Sequence, residues 1–143
     1  MVQEFSAGGI VFKKENGNTL WLVRRAKPNP EYRGALSWNF PHGGLDQGET
    51  MEQAALRETA EEGGVKARIV GELPTSKFFY TDKDKQKVRK FITYFLMEWL
   101  EDLGSGFGSE TEEIKWLSKD EALGLLAYKN EKELLAIATT KIL

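Results

Sequence analysis

Runs of β-branched and aromatic residues separated by turn-forming residues predict most of the strands in this chain. The first two runs are joined by Asn16 and Gly17, a pair typical of a tight β-hairpin. A loop is expected over 27–34, because that segment contains two Pro and a Gly; it could lie beside a functional site or serve as a plain connection. The segments predicted to be strands are 5–14, 19–25, 36–40, 66–80 with breaks at Gly71 and Pro74, 87–100 and 113–117.

The segments between these strands contain residues that are typical of helix starts, helix ends and helical apolar faces. Thr50 and Gln53 have the spacing of a capping box, and Gly63 or Gly64 can end the helix that begins there. Two more helices are indicated by a capping box of Ser118 and Glu121 ahead of 119–126, and by an apolar stripe of Leu134, Leu135 and Ala138 within 131–140. Strands interspersed with helices in this way predict an α/β fold with a mixed sheet between helical layers.

The first of these helices has a strongly acidic face. Glu58, Glu61 and Glu62 stand at i, i+3 and i+4, which places three carboxylates on one side of the helix. Like charges so close repel one another unless a cation compensates them. Arg57 can pair with Glu61, and the remaining negative charge favours a hard, oxygen-preferring metal such as Mg²⁺ or Mn²⁺. The alternative is a solvated surface face, which is what charge runs usually form.

Composition restricts the classes of protein to which the chain can belong. At 143 residues, with 41% hydrophobic and 29% charged residues, we expect a single domain over 1–143 with its own core. The formal net charge of −2 argues against a general nucleic-acid binder, so no DNA partner is expected. The absence of Cys excludes a disulfide, a thiol nucleophile and Cys-ligated zinc, and one His, His42, poorly supports a His-rich metal site.

The N-terminal segment gives an expectation about location. Residues 1–14 lack the positive stretch and long apolar run of a signal peptide. No apolar run in the chain is long enough to cross a bilayer. We therefore expect a cytoplasmic protein that does not contact a membrane, and the sequence is compatible with either a monomer or a homodimer.

The residues around the acidic helix form a more specific pattern than the acidic face itself. From Gly43 the chain reads Gly, five residues, Glu49, seven residues, and then Arg-Glu-Thr-Ala-Glu-Glu-Gly-Gly-Val over 57–65. This pattern resembles the signature of the Nudix hydrolase family: Gly, five residues, Glu, seven residues, Arg-Glu-U-x-Glu-Glu-x-Gly-U, where U is a bulky aliphatic residue. Thr59 stands where U is usually Ile, Leu or Val, a change that bears on helix packing more than on chemistry.

The resemblance implies both a fold and an activity. The fold is an α/β/α sandwich with the motif helix, within 43–65, against the sheet. The activity is hydrolysis of a diphosphate joined to another group, for which Mg²⁺ or Mn²⁺ neutralises the phosphate charge and lowers the pKa of a bound water. By the same resemblance Glu58, Glu61 and Glu62 bind the metal, and the backbone carbonyl of His42 can add an oxygen ligand.

Further residues are expected to orient this group of carboxylates. By resemblance Arg57 holds the carboxylates in place, a catalytic role without substrate contact. Glu49 either joins that pairing or lies near the helix N-terminus, where a negative charge is favourable. Arg24 and Arg25 are adjacent on a predicted strand, so only one of them can face the site.

The mechanism also needs a general base that takes a proton from the attacking water. A motif glutamate such as Glu58 or Glu61 can serve, or a carboxylate from elsewhere in the chain, and the Nudix resemblance implies the loop after the long strand as a source. That loop offers Glu110, Glu112 and Glu113, and Glu110 is favoured because of its spacing from the following strand. The alternative is that all three loop carboxylates are simply solvated.

Several further stretches, most of them outside the motif, resemble one branch of the family, the asymmetrical diadenosine tetraphosphate hydrolases. They are FSAGG, WNFPHGG, Arg57-Glu58-Thr59 within the motif, YFLMEW and LLAYKNEKELL. The resemblance implies diadenosine tetraphosphate as the nucleotide substrate, cleaved to ATP and AMP. This branch often has Lys where His42 stands, and a neutral imidazole near phosphate would be encouraged to protonate.

A dinucleotide substrate needs aromatic platforms for adenine and cations for phosphate. Tyr80 and Tyr128 are candidate stacking rings, because a nucleobase gains by lying on an aromatic face. Lys87 and Lys90 begin the long strand and are candidate phosphate ligands. The alternatives are two ordinary core or rim tyrosines and an ordinary basic strand end.

Other functions remain open from the sequence. The substrate could instead be a nucleoside triphosphate, a nucleotide sugar, a capped RNA end or a diphosphoinositol polyphosphate, the last of which calls for more basic surface. A different class is a regulatory domain that binds a nucleotide without cleaving it. The complete glutamate set argues against that class, because a binding module has no need of the full array.

Overall fold

The structure is a computed structural model that describes residues 1–28 and 37–142. In chain order the described elements are β1 (Val2–Glu15), β2 (Asn18–Ala26), β3 (Trp38–Asn39), β4 (His42–Gly44), α1 (Met51–Gly63), β5 (Val65–Glu72), β6 (Ser76–Thr81), β7 (Lys87–Asp102), β8 (Thr111–Leu117), α2 (Lys119–Leu125) and α3 (Lys129–Lys141). Most of the loop predicted over 27–34 and the first residue of the strand predicted over 36–40 lie outside the described residues.

One mixed sheet joins all of the described strands. β1 and β7 run parallel at its centre, from Val2 opposite Val88 to Phe12 opposite Glu98. The other pairings are antiparallel: β2 and β4 pair with β1, β3 and β8 pair with β2, and β5 and β6 pair with β7. The long aromatic strand is therefore central, as its composition predicted.

Helices cover both faces of this sheet, which confirms the predicted α/β/α arrangement. On one face, Ala54 and Ala55 of α1 pack with Ala7, Val11 and Met97 in one apolar cluster. On the other face, α2 and α3 contribute to a second cluster, whose buried members include Ile10, Trp21, Tyr94, Leu134 and Leu135. Burying apolar residues on both faces stabilises the sheet and holds α1 against β1.

The capping signals read from the sequence are present. The Thr50 side chain accepts a hydrogen bond from the backbone of Gln53, whose own side chain accepts from the Thr50 backbone. Gly64, at φ 70°, adopts the left-handed conformation that ends α1. Ser118 and Glu121 form the same reciprocal capping box at the start of α2. The local sequence therefore sets where these helices begin and end.

The fold contains one strand that the sequence analysis did not predict. Residues 42–44 form the short strand β4, which pairs with Ser6–Gly8 of β1. The extended segment predicted over 66–80 is interrupted as expected: the register shifts at Gly71, and the segment around Pro74 separates β5 from β6, which both pair with β7. No helix in the described part of the chain is long and apolar enough to cross a membrane.

Candidate active site

The site begins where α1 crosses the Gly-rich strand β4. Glu58 is only 8% exposed, and its carboxylate lies directly against Gly43. A Cβ placed on Gly43 would lie 2.4 Å from both Cδ and Oε1 of Glu58, closer than real side chains approach. The absence of a side chain at residue 43 therefore lets this carboxylate reach the sheet.

Glu62 lies one turn further along α1 and is 5% exposed. Its Oε1 accepts a 2.8 Å hydrogen bond from the backbone N–H of His42 and lies 3.1 Å from Nε of Arg24. Burial raises the pKa of Glu62 to about 7, although the Arg24 charge and the His42 hydrogen bond act in the opposite direction. Glu62 is thus a desolvated carboxylate held at one oxygen.

Arg57 connects the acidic side chains of the motif. Its Nε and Nη2 donate to the two oxygens of Glu49, at 2.7 and 2.9 Å, and Nη2 also donates to the carbonyl of Gly44. Its Nη1 donates to Glu58 at 2.8 Å and to Glu61 at 3.2 Å. The Arg57 hydrogen bond is the main cause that lowers the pKa of Glu49. Arg57 therefore pairs with Glu49 and with two glutamates of α1, and its catalytic orienting role stays a prediction.

Negative charge accumulates around Glu58. Burial is the largest cause that raises the pKa of Glu58, and the charges of Glu61 and Glu110 raise it further, while Arg57 lowers it. The Glu110 charge also raises the pKa of Glu62. Glu110 is exposed and lies at the end of the loop after β7. Because its charge acts on both Glu58 and Glu62, the fold brings this predicted base close to the motif carboxylates.

The donor chemistry of this cluster fits a hard divalent cation. All of the donors are carboxylate or backbone oxygens, and two buried carboxylates are destabilised in their charged form, which a cation would reverse. Among residues 1–28 and 37–142, no three Asp, Glu or His side chains surround a common point closely enough to hold an ion. In this structure Arg57 binds Glu58 and Glu61, whereas Glu62 contacts Arg24 and the His42 backbone.

The chain also matches the model of a known protein family. A family model described as the NUDIX domain matches residues 3–137. The chain belongs to the Nudix family. Members of this family generally use divalent metal ions such as Mg²⁺, in agreement with the oxygen donors described above.

Named Nudix relatives share either part of the sequence or the fold. The chain is 33% identical over 137 residues to a protein of Mycobacterium tuberculosis (strain CDC 1551 / Oshkosh), provisionally named mutator protein MutT4, a match covering 96% of this chain and 55% of that protein. It is 46% identical over 69 residues to the RNA pyrophosphohydrolase of Tolumonas auensis (strain DSM 9187 / NBRC 110442 / TA 4), covering 48% of this chain and 35% of that enzyme. The chain thus spans about half or less of the length of these relatives.

The likeness to one solved structure covers almost the whole chain. The crystal structure of a Caenorhabditis elegans Ap4A hydrolase binary complex superimposes with a TM-score of 0.73 and 24% identity, covering 97% of each chain. At this identity the likeness establishes the Nudix fold.

The imidazole of His42 lies within the Nudix site but is poorly suited to carry a charge. Its Nδ1 donates to the carbonyl of Phe40 at 2.9 Å and lies 3.3 Å from the hydroxyl of Tyr94. Burial lowers the pKa of His42 to about 4, and the Lys90 and Arg24 charges act in the same direction. The expectation that this imidazole would protonate beside a bound phosphate stays a prediction, and it requires the phosphate charge to overcome the effect of burial. The role predicted for the His42 carbonyl as a metal ligand stays a prediction.

Two of the residues predicted to bind substrate lie on neighbouring strands of the sheet. Tyr80 of β6 stands opposite Val88, two residues before Lys90 on β7, so the two side chains share a face of the sheet. The Tyr80 hydroxyl donates to Glu4 at 2.9 Å, and Glu4 stands opposite Lys90 in the β1–β7 ladder. The Lys90 charge lowers the pKa of His42, and the substrate-binding roles of Tyr80 and Lys90 stay predictions.

The other two predicted substrate residues, Lys87 and Tyr128, lie at the start of β7 and just before α3. Lys87 is exposed at the start of β7, where it borders an open surface depression together with Met1 and Val2. Tyr128 is 50% exposed and is the residue that precedes α3. The structure records no contact between either residue and the motif carboxylates, and their predicted roles stay predictions.

Sequence reasoning missed a buried network behind the Gly-rich strand. Glu131 of α3 is 2% exposed, and its Oε2 accepts from the Phe40 backbone at 3.1 Å and from the Tyr94 hydroxyl at 2.9 Å. Burial raises the pKa of Glu131 to about 7. In the sequence Glu131 has the pattern of an ordinary first-turn helix glutamate, so no local signal distinguishes it. Because Tyr94 also approaches His42, the network joins α3 to the strand that carries the site.

Proposed function

We propose that this chain is a metal-dependent pyrophosphohydrolase, a single Nudix domain over 1–143, that cleaves a nucleoside diphosphate linked to another group. The observation that carries the proposal is the pair Glu58 and Glu62. They lie one turn apart on α1, are almost fully buried, and have raised pKa values caused mainly by burial. A protein keeps two such carboxylates together at a cost in stability, which a bound cation offsets.

Glu58, Glu61 and Glu62 are the proposed ligands of Mg²⁺ or Mn²⁺, with the His42 carbonyl as a further oxygen. When bound, the cation neutralises pyrophosphate charge and lowers the pKa of a coordinated water. Arg57 keeps Glu58 and Glu61 in place through its hydrogen bonds to both.

Glu110 is the proposed general base. Its carboxylate takes a proton from the water that attacks phosphorus, while the phosphoanhydride P–O bond breaks and the electron pair leaves with the departing phosphate. Its exposure at the end of the loop leaves room for water, and its charge acts on both buried motif carboxylates. Glu58 and Glu61 are the alternative bases.

Diadenosine tetraphosphate, cleaved to ATP and AMP, is the best candidate substrate. Tyr80 offers an exposed ring beside Lys90, whose charge reaches His42. Tyr128 offers a second exposed ring at the start of α3. Two exposed aromatic rings, together with basic side chains, suit a molecule with two adenines joined by phosphates. Lys87 is proposed to contact the outer phosphates.

A capped or phosphorylated RNA end is the second candidate. It is favoured by the relative named RNA pyrophosphohydrolase, which shares 46% identity over 69 residues with this chain. Nucleoside triphosphates and nucleotide sugars are further candidates within the same chemistry. A regulatory nucleotide-binding domain is the non-enzymatic alternative, and the complete set of buried motif carboxylates argues against it.

Product analysis tests the proposal. The protein is incubated with Mg²⁺ and, separately, diadenosine tetraphosphate, nucleoside triphosphates, ADP-ribose and capped RNA, in ¹⁸O-labelled water. The expected result is rapid formation of ATP and AMP, with the position of the label identifying the phosphorus that is attacked. The Glu58→Gln variant is the matched control for contaminating hydrolases.

Each other outcome has a defined meaning. Preferential turnover of another compound in the panel would retain the hydrolase and replace the substrate. Tight, Mg²⁺-dependent nucleotide binding without turnover of any compound would contradict the enzymatic proposal and support the regulatory domain.

A further inference from the structure

A buried arginine lies between two proposed parts of the active site. Arg24 on β2 is 6% exposed, and a guanidinium removed from water is costly unless acidic or carbonyl oxygens compensate it. Its Nε lies 3.1 Å from Oε1 of Glu62, as an ion pair whose N–H does not point along the hydrogen-bond direction. Its Nη1 donates to the carbonyl of Glu110 at 3.2 Å and to Oγ1 of Thr111 at 3.3 Å.

The loop that ends in Glu110 is attached to the C-terminal end of α1. The N–H of Leu103 donates to the carbonyl of Gly64 at 2.9 Å, and the N–H of Gly108 donates to the carbonyl of Glu61 at 2.6 Å. A Cβ on Gly64 would lie 2.8 Å from the backbone nitrogen of Phe107, so the loop backbone packs directly on the helix end. The last carbonyls of α1, which lack partners within the helix, are thereby satisfied.

Arg24 and Thr111 connect the end of this loop, at Glu110, to α1. Oγ1 of Thr111 donates to the carbonyl of Glu62 at 2.8 Å and also accepts from Arg24. Arg24 therefore contacts the side chain of Glu62 and the backbone of Glu110, while Thr111 contacts the backbone of Glu62. Glu110 and Thr111, which Arg24 contacts, lie 86 and 87 positions after it in the sequence.

We propose that Arg24 is a positioning residue that fixes the proposed base Glu110 relative to the proposed metal ligand Glu62. The inference rests on the proposed function for the roles of those two residues. With Oε1 of Glu62 occupied by Arg24 and by the His42 N–H, the described residues leave Oε2 without a hydrogen bond and available to a cation. An arginine suits the task because its planar fork presents several donors in fixed directions, which the single ammonium of lysine does not.

The primary test combines kinetics with hydrogen exchange. Arg24→Lys keeps the charge and loses the fork, Arg24→Met removes both, and Arg68→Lys is the matched control, because Arg68 forms an exposed 2.8 Å ion pair with Glu98 on the outer part of the sheet. In both Arg24 variants we expect the amides of Leu103 and Gly108 to exchange roughly tenfold faster or more, the equivalent of about 1.4 kcal/mol of lost local protection. The rest of the sheet should keep its wild-type exchange.

The expected kinetic signature is a fall in kcat of about 10- to 100-fold with KM changed by less than about threefold, because a positioning residue acts through Glu110 and Glu62 rather than on the substrate. A double-mutant cycle with Glu110→Gln supplies a stricter readout. If Arg24 acts through Glu110, Arg24→Lys should cost much less in the Glu110→Gln background than in the wild type.

Several results would overturn the inference. Wild-type exchange at Leu103 and Gly108 in folded Arg24→Met would do so, as would a rise in KM at constant kcat, which marks a substrate contact. Faster exchange across the entire sheet would reduce Arg24 to a general stabilising residue. If Arg24→Met does not fold, Arg24→Lys decides, since it keeps the buried charge.

Failure of the proposed function has a different signature. If the wild-type protein cleaves no compound in the panel, or if Glu110→Gln is fully active, the enzymatic assignment or the base assignment fails. The exchange of the Leu103 and Gly108 amides still tests the attachment of the loop by Arg24 in those cases.

Discussion

Arg57 forms a two-point contact with Glu49, from Nε to Oε2 at 2.7 Å and from Nη2 to Oε1 at 2.9 Å. This geometry leaves Nη1 to hold Glu58 at 2.8 Å. The eight-residue separation of Glu49 and Arg57 thus has a physical reason: the loop residue fixes the guanidinium, and the guanidinium fixes the carboxylate. Parallel N–H···O bonds of this type are both strong and directional.

Replacing either member of this pair should impair turnover without unfolding the protein. For Arg57→Lys and Glu49→Gln we expect kcat/KM to fall by roughly 10- to 100-fold, the equivalent of about 1.4 to 3 kcal/mol, since Glu58 loses its orientation while the proposed ligands remain. Steady-state kinetics with Mg²⁺ measures the effect. Glu52→Gln, an acidic first-turn residue of the same helix, should behave like the wild type. Unchanged kcat/KM in both variants would contradict the orienting role.

The motif carboxylates themselves should be far less replaceable. Glu58→Gln and Glu62→Gln keep nearly the same shape but remove a charge, so each should lose turnover by orders of magnitude. The fold should persist, because the amide oxygen of Gln at position 62 can still accept from the His42 N–H, and Arg24 keeps its hydrogen bonds to the Glu110 carbonyl and Thr111. Turnover assays and circular dichroism measure the two properties. If either variant retained near-full activity, the metal assignment would be wrong.

Substitution of a glycine tests the contact between Gly43 and Glu58 without changing any charge. In Gly43→Ala the new methyl group would meet the Glu58 carboxylate at 2.4 Å, so that side chain must move. Gly44→Ala is the matched control, since a Cβ added to Gly44 would have nothing within 4 Å. We expect activity to fall by at least about tenfold in Gly43→Ala, because misplaced catalytic groups are costly. Equal activity of the two variants would show that the Glu58 position is not critical.

The buried Glu131 should make stability depend on pH. Its pKa is raised from 4.5 to about 7 in the folded protein, so the folded state binds a proton more tightly than the unfolded state. The stability that this group contributes is present below pH 4.5 and is lost as the pH rises to about 7, a change of up to about 3 kcal/mol.

Glu131→Gln should remove this dependence, because the amide does not ionise. The free energy of unfolding, measured by urea denaturation from about pH 4.5 to about pH 8, should fall less with rising pH in the variant than in the wild type. Glu133→Gln is the control, since Glu133 is an exposed residue of the same helix. Glu62 titrates in the same range, so the difference between wild type and variant isolates the contribution of Glu131. Parallel curves for wild type and Glu131→Gln would show that Glu131 is not buried in a charge-disfavouring environment.

The sequence predicts the part of the site that is formed by residues close to one another in the chain. Thr50 caps Gln53, Arg57 reaches Glu61 one turn later, and Gly64 ends the helix, all by contacts that the helical repeat fixes. The order of strands and helices likewise predicts the sandwich, because each apolar face must be covered. His42 shows the limit of this reasoning, since only the folded structure shows that its imidazole is buried, which lowers its pKa to about 4.

What only the tertiary structure decides is which distant groups meet. The sequence by itself determines the acidic helix, its caps and the family pattern, because these depend on neighbours in the chain. The Arg24 contacts with Glu62 and the Glu110 loop, and the Glu131 contact with Tyr94, span 37 residues or more and follow from strand pairing and layer packing. No periodicity encodes them, since the sheet register and the docking of α3 are set by burial over the whole domain.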